Sequence, residues 1–338
     1  MKKTALRLLC LLTVFATLVF SLGASAEEQP TQPKRLEIDD FRDITTANVE
    51  RILSTGSYKI TDVPPETLTL PDNIPTDLTE KLEKILDDAP YSCAMYYIDL
   101  ETGFEITYNA ERWFGGASTI KAPFMMALLD KIERGEISFD DTLTYSYDRT
   151  GTVQISKDYE LGAKLSIRLL IEYLIYYSDN VAFSLLLNQA CKLGEFRSFC
   201  RNNYGGDIYK DGINQLNAKV VAKAFEDLYH KSKTGNEIYV WYVELLKQAN
   251  ENKFVRNGLP KDENGECIYE VAHKYGMDIN ASNDAAIVFC GERPYVLVVL
   301  TDYIGYNTQY FINRVSSAVY DIHLHITNSE FGMRNSEF

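Results

Sequence analysis

The sequence predicts an α+β fold: five antiparallel strands contributed by both ends of one domain, with an all-helical region inserted between them. Three observations carry that reading. Short β-type runs occupy 93–100 and 104–108, and again 268–275, 285–290 and 295–301. Between the two groups, apolar residues recur at helical spacing over 119–132, 165–177, 181–191, 218–229 and 238–249. Strands at both ends of a run of helices then close into a single sheet.

Each element has a local cause. Apolar residues at every third or fourth position make 78–86 a helix. Glu101-Thr102-Gly103 turns the first strand into the second, and Arg134-Gly135 ends the apolar helix that begins at Thr119. Polar turns at 280–283 and 291–294 separate the last three strands, and an amphipathic helix over 310–326 closes the domain. Upstream, Pro64, Pro65, Pro71 and Pro75 interrupt regular structure. The domain is therefore expected over 77–328, with 329–338 as a tail. Residues 36–53 have loose helical spacing, and 27–34 read as an acidic, proline-bearing tether.

The first 26 residues have the pattern of a secretory signal peptide. Lys2, Lys3 and Arg7 precede an apolar run over 8–22, and Ala24-Ser25-Ala26 offers a small-residue cleavage site. Cys10 lies inside the apolar run rather than after it, which argues against a lipoprotein, and the run is short for an anchor. The expected product is extracytoplasmic, with no membrane span after cleavage. Cleavage removes three of 34 basic residues and none of the 48 acidic ones, so formal net charge moves from −14 to −17. Such a surface repels phosphate backbones and argues against nucleic acid as a partner. Five cysteines remain: Cys93, Cys191, Cys200, Cys267 and Cys290. Their spacing matches no zinc pattern, an odd count leaves at least one thiol unpaired, and Cys191 with Cys200 is a candidate bridge.

Three short motifs carry chemistry. Ser118-Thr119-Ile120-Lys121 follows Gly115-Gly116-Ala117, which permits a tight turn, and opens an apolar helix. Positions i and i+3 share a helix face, so hydroxyl and amine can meet. Backbone N–H groups at that helix start are free to stabilise an oxyanion. Ala122, Pro123, Phe124 and Met125 strip hydration from Lys121, which suits it to act as a base. Ser178-Asp179-Asn180 is a polar corner between two apolar helices; alone it would read as a helix cap. For the third motif there is a decoy. Lys233-Thr234-Gly235 spells K-T-G but lies in a polar turn between helices, whereas Lys274-Tyr275-Gly276 ends a strand. A cation that holds a substrate must sit on a rigid edge, which selects Lys274.

S-x-x-K, S-D-N and a K-T-G-like triplet in that order resemble class A β-lactamases and penicillin-binding proteins, over about 77–326. The resemblance implies a β-lactamase/transpeptidase-like fold and a secreted serine hydrolase acting on amide bonds, with no cofactor or metal. It implies a β-lactam or a peptidoglycan stem peptide as substrate. Residue by residue, Ser118 is similar to the family's nucleophile, Lys121 to its activating amine and Ser178 to the proton shuttle toward the leaving nitrogen. Asn180 resembles the residue that grips the substrate amide, and Lys274, with Tyr275 and Gly276, the anchor for the substrate carboxylate. The backbone N–H groups of Ser118 and Met277 would form the oxyanion hole.

Two departures stand out. Tyr275 replaces the usual threonine or serine, which implies altered carboxylate recognition or a narrower cleft. The family's efficient β-lactamases carry an E-x-x-x-N loop after S-D-N, whose glutamate activates the deacylating water. Here only 37 residues separate Asn180 from the helix at Ala218, with Glu195, Asp207 and Asp211 as their acidic residues and no E-x-x-x-N spacing. Slow deacylation is the expectation, with a D,D-peptidase-like protein or an inactive wall-peptide-binding relative as alternatives. A Ser-His-Asp hydrolase is disfavoured: no G-x-S-x-G surrounds Ser118, His230 sits by the decoy turn, and His273 should face away from Lys274. His323 and His325, two apart on the last helix, are expected to be surface residues rather than metal ligands.

Overall fold

The structure, a computed structural model, describes residues 68–70, 74–147, 153–210, 212–249 and 253–335, all within Asp43–Phe338. The expected leader, the tether over 27–34 and the helix read at 36–53 lie outside the described residues. Among the described residues, ten strands (β1–β10) and nine α-helices (α1–α9) follow in order. Helix α1 (Thr76–Asp87) leads to β1 (Cys93–Asp99) and β2 (Glu105–Tyr108), and the short β3 (Phe114–Gly115) leads to α2 (Lys121–Glu133). The helical region contains β4 (Thr142–Thr144), α3 (Ile155–Asp158), β5 (Lys164–Ser166), α4 (Ile167–Tyr176), α5 (Asn180–Gln189) and α6 (Leu193–Tyr204). A small hairpin, β6 (Tyr209–Lys210) and β7 (Ile213–Leu216), precedes α7 (Ala218–Lys233) and α8 (Glu237–Gln248). The chain ends with β8 (Glu270–Asp278), β9 (Ala281–Phe289), β10 (Tyr295–Thr301) and α9 (Tyr306–Asn335).

The main sheet has the order β2-β1-β10-β9-β8, all antiparallel. The predicted α+β architecture holds: β1 and β10 pair from Cys93↔Thr301 to Asp99↔Tyr295, joining the two ends of the domain across the helical insertion. Every residue of β1 and β10 is buried, because helices cover both faces. On one face Leu82, Ile85 and Leu86 of α1 and Ile312, Val315, Val319 and Ile322 of α9 pack on Met95, Tyr97, Leu297 and Val299. Helix α7 packs on the other face. Upstream of α1, Thr69 already exchanges backbone bonds with Thr107 on the β2 edge. No helix among the described residues is long and apolar enough to cross a membrane.

Several elements differ from the sequence reading. Strand β9 starts at Ala281, so Ala281, Ser282 and Asn283, expected in the turn, are buried strand residues, as is Asp284 after them. The polarity of Ser282, Asn283 and Asp284 mimics turn chemistry, but each is hydrogen-bonded inside: Ser282 and Thr301 exchange bonds, and Asn283 accepts from the Thr301 N–H at 3.0 Å. Cys191 and Cys200 are both free, buried thiols. His323 is also buried, not a surface residue. Its Nδ1 lies 2.8 Å from Tyr97 Oη, beneath the sheet.

Burial pushes the His323 imidazole down from the ordinary 6.5 to about 4. The unfolded chain then takes up a proton below pH 6.5 that the folded chain refuses. Stability should therefore be full above that pH and fall as pH drops toward 4, by on the order of 3 kcal/mol from this group. Urea unfolding at pH 7 and pH 4 should show a smaller acid loss for His323→Gln than for the wild type; equal losses would refute the assignment.

Candidate active site

The turn that carries Ser118 is built by β3 and by the strand that walls it. Phe114 and Gly115 pair with Leu216 and Gln215 of β7, and the Gly116 N–H donates to Asn214 O at 3.2 Å. A side chain at 116 would press on Leu216 and Ile120. The backbone then passes through Ala117 at φ +41°, a left-handed value on a residue with a Cβ. Such strain persists only where surroundings over-determine it. Ser118 lies in a 3-10 turn, Ala117–Ile120, and α2 begins at Lys121. The sequence places Ser118 in the first turn of an α-helix; the tighter turn improves the pairing, since i and i+3 eclipse in a 3-10 helix. Helix α2 is apolar all round and buried from Lys121 to Leu129, so it is a rigid core element rather than an amphipathic one.

Lys121 is 1% exposed and is the hub of the site. Its Nζ lies within hydrogen-bonding reach of Ser118 Oγ at 3.2 Å, Ser178 Oγ at 3.2 Å, Asn180 Oδ1 at 3.0 Å and the Ser178 carbonyl at 2.6 Å. The first two motifs, about 60 residues apart, therefore meet at one nitrogen. The corner that presents Ser178 and Asn180 is fixed by Asp179. Its buried carboxylate caps α5 by accepting from Val181 N at 2.8 Å and Ala182 N at 2.9 Å. Its other oxygen accepts from the N–H groups of Gln154 and of Ile155, the latter at 3.0 Å. Ser178 itself takes φ +52°, which turns its hydroxyl toward Lys121 instead of leaving it as a cap.

Strand β8 brings the third motif. A Cβ on Gly276 would lie 2.6 Å from Ser118 N and 2.5 Å from Thr119 N, so only glycine lets this strand reach the Ser118 turn. The approach is locked from β9 by Asn283, whose amide donates to Gly115 O at 2.8 Å. Lys274 is 2% exposed, its Nζ donating to Tyr275 O at 2.9 Å. With Ser178 it lines a cavity of about 40 Å³. Tyr275 stacks on Phe254, with ring centroids 5.4 Å apart, and packs against the core. Met277 follows Gly276 with a 38% exposed side chain. The decoy lies elsewhere: Lys233 is the last residue of α7, Gly235 takes φ +79°, and the Lys233 ammonium sits over the Tyr229 ring.

The acidic residues after Asn180 are engaged away from this site. Glu195 bonds Lys131 at 2.8 Å and the Lys192 N–H at 2.7 Å. Lys131 is ten residues beyond Lys121, or about 15 Å along α2. That end of α2 borders a larger cavity of about 430 Å³, lined by Lys131 and Glu195 and by none of the motif residues. Asp207 is held by Arg197 at 2.7 Å and Arg201 at 3.0 Å, which keeps its carboxyl below the usual range despite burial. Asp211 lies outside the described residues. Two supporting residues escaped the sequence reading, Asn283 and Asp284, hidden in a stretch with turn composition.

Comparison with known proteins agrees with this architecture. The family model described as "Beta-lactamase enzyme family" matches residues 77–323. Beta-lactamase 3 of Bacillus cereus is 23% identical over 234 residues, covering 64% of this chain and 71% of that one. Beta-lactamase ROB-1 of Haemophilus influenzae is 29% identical over 229 residues, covering 61% and 70%. Among solved structures, PBP-A superposes with a TM-score of 0.65 at 19% identity, covering 75% of this chain and 98% of PBP-A. An ancestral class A beta-lactamase gives 0.64 at 22%, covering 72% and 99%. With a match across most of its length and the same fold, the chain belongs to the beta-lactamase enzyme family.

Proposed function

We propose that this protein is an extracytoplasmic serine hydrolase that forms an acyl-enzyme at Ser118 with β-lactams or wall-peptide-like amides and releases it slowly. The observation that carries this reading is the Lys121 hub. One buried amine touches the hydroxyl that would attack, the hydroxyl that would relay a proton and the amide that would grip the substrate. In this reading Ser118 Oγ attacks the scissile carbonyl while Lys121 takes its proton. Ser178 passes a proton to the departing nitrogen, and Asn180 and Lys274 hold the substrate. The N–H groups of Ser118 and Met277 stabilise the oxyanion, which the close approach of Gly276 to Ser118 favours. Strand β7, which pairs with Gly115 beside the Ser118 turn, carries Asn214, Gln215 and Leu216 and no carboxylate. That observation also favours a D,D-peptidase-like protein as a second reading.

Intact mass after brief exposure to benzylpenicillin tests the proposal. One added penicilloyl group, mapped to Ser118 and persisting for minutes, is expected. An adduct on Ser178 would overturn Ser118 as the nucleophile, and no adduct with any β-lactam would leave the binding-only relative. The anchor is tested separately. Lys274→Ala should slow acylation by about tenfold or more, the scale of one charge-assisted contact. Lys233→Ala should leave it unchanged, because its ammonium rests on the Tyr229 ring far from the motif residues. Sensitivity at Lys233 alone would move the third motif.

A further inference from the structure

The small cavity shared by Lys274 and Ser178 is bordered by a hydrogen bond between two helices. Tyr176, the last residue of α4, lines the cavity and is 40% exposed, so its ring stands in the cleft and not in the core. Its hydroxyl donates to Oε1 of Gln248, an exposed residue of α8, at 2.6 Å. The residue after Gln248, Ala249, lines the same cavity, which places the Tyr176 hydroxyl at the cavity's α8 side. Partial burial and the nearby Glu172 carboxylate raise this phenol above its ordinary value, so near neutrality it is a hydrogen-bond donor.

The lining selects by charge and size. Among the described residues that form it are the Lys274 ammonium and no carboxylate, and His273 turns to Asp284 on the opposite face of β8. At about 40 Å³ the space admits one small polar group rather than a whole ligand. A carboxylate has that size and the complementary sign, and its two oxygens accept several hydrogen bonds. Lys274 and Ser178 can supply some of them. The middle residue of the third motif brings no short hydroxyl: Tyr275 has a ring in its place, held between Phe254 and the Lys274 ammonium, which lies 4.9 Å from the ring centroid. The Tyr176 hydroxyl is on the open side, and its present acceptor is a neutral amide. A carboxylate is the stronger acceptor, so an arriving anion would draw the hydroxyl away from Gln248.

We propose that Tyr176 is a carboxylate-binding residue of this site: its hydroxyl leaves Gln248 and donates to the carboxylate of the acyl donor beside Lys274. The inference rests on the reading of Lys274 as substrate anchor. It makes Tyr176 a residue that discriminates acyl donors with a carboxylate from those without, and Gln248 the acceptor that occupies its hydroxyl between substrates.

Non-covalent binding to Ser118→Ala tests it, since that variant keeps Tyr176 and Lys274 and lacks the nucleophile. The probes are benzylpenicillin and its methyl ester, titrated by calorimetry at about pH 7, where the acid is ionised and the phenol is not. Adding Tyr176→Phe, which removes only the hydroxyl, should weaken the acid by about tenfold or more and leave the ester unchanged. Adding Gln248→Ala, which removes the competing acceptor, should leave the acid bound at least as tightly. A tyrosine that merely ties α4 to α8 would weaken acid and ester together, and Gln248→Ala would do the same. That pattern, an acid affinity unmoved by Tyr176→Phe, or no binding of the acid to Ser118→Ala would each overturn the proposal. Failure of the anchor reading appears separately, as an acid affinity that Lys274→Ala does not change, and failure of the acylation reading as a wild-type protein without a mass adduct.

Discussion

A chromogenic cephalosporin mixed with the protein should release product in a burst of about one equivalent and then turn over slowly. Acylation needs a nucleophile, an amine and oxyanion donors, and Ser118, Lys121 and the Gly276 approach supply the setting for all three. Deacylation needs a base for water on the open face of the ester. Glu195 and Asp207 are tied to Lys131 and to Arg197 and Arg201. A missing general base costs about 10²–10⁴ in rate, roughly 3–5 kcal/mol of barrier. Stopped-flow absorbance decides the matter. Linear progress at the speed of an efficient β-lactamase, without a trapped adduct, would show that another group activates the water. Lys121 is the nearest candidate and would soften the burst rather than abolish it.

Replacing that lysine should have an effect of the same order on the forward step. Lys121→Met removes the amine while keeping an unbranched side chain in an apolar helix, and acylation should fall by about 10²–10⁴. Stability should also fall, by about 1–3 kcal/mol. The Ser178 carbonyl, Ser178 Oγ and Asn180 Oδ1 all lose a donor in a buried corner. The two losses separate experimentally: a melt above room temperature with acylation nearly gone is the expected pairing. Acylation within tenfold of wild type would mean that Ser118 is activated by something else.

Much of this was legible in the sequence because the chemistry is local. Ser118 and Lys121 lie one turn apart, and Ser178 and Asn180 flank one corner. The choice of Lys274 over Lys233 followed from strand context, and the structure places Lys274 beside Ser178 and Lys233 at the end of α7. What stayed hidden depends on pairing between distant segments. Ser282, Asn283 and Asp284 have turn composition, and only the partners Thr301, Gly115 and His273 reveal them as buried strand residues. His323 reads as a surface helix residue until α9 is docked on Tyr97. The hairpin β6–β7 is too short for any periodicity to show.

The pairing of β1 with β10 joins residues about 200 positions apart, as in Cys93 with Thr301. Contacts of such long range form late and slowly, since a large loop must close before they reward it. Helices α2, α4 and α5 can gather Ser118, Lys121, Ser178 and Asn180 early, from segments close in sequence. Gly276 cannot reach the Ser118 turn until β8 has zipped onto β9 and β9 onto β10. During folding the chain therefore holds the Ser118 turn without its opposite wall, which arrives only with the last strands. A chain that stops before Thr301 should be helical and take up no penicilloyl group.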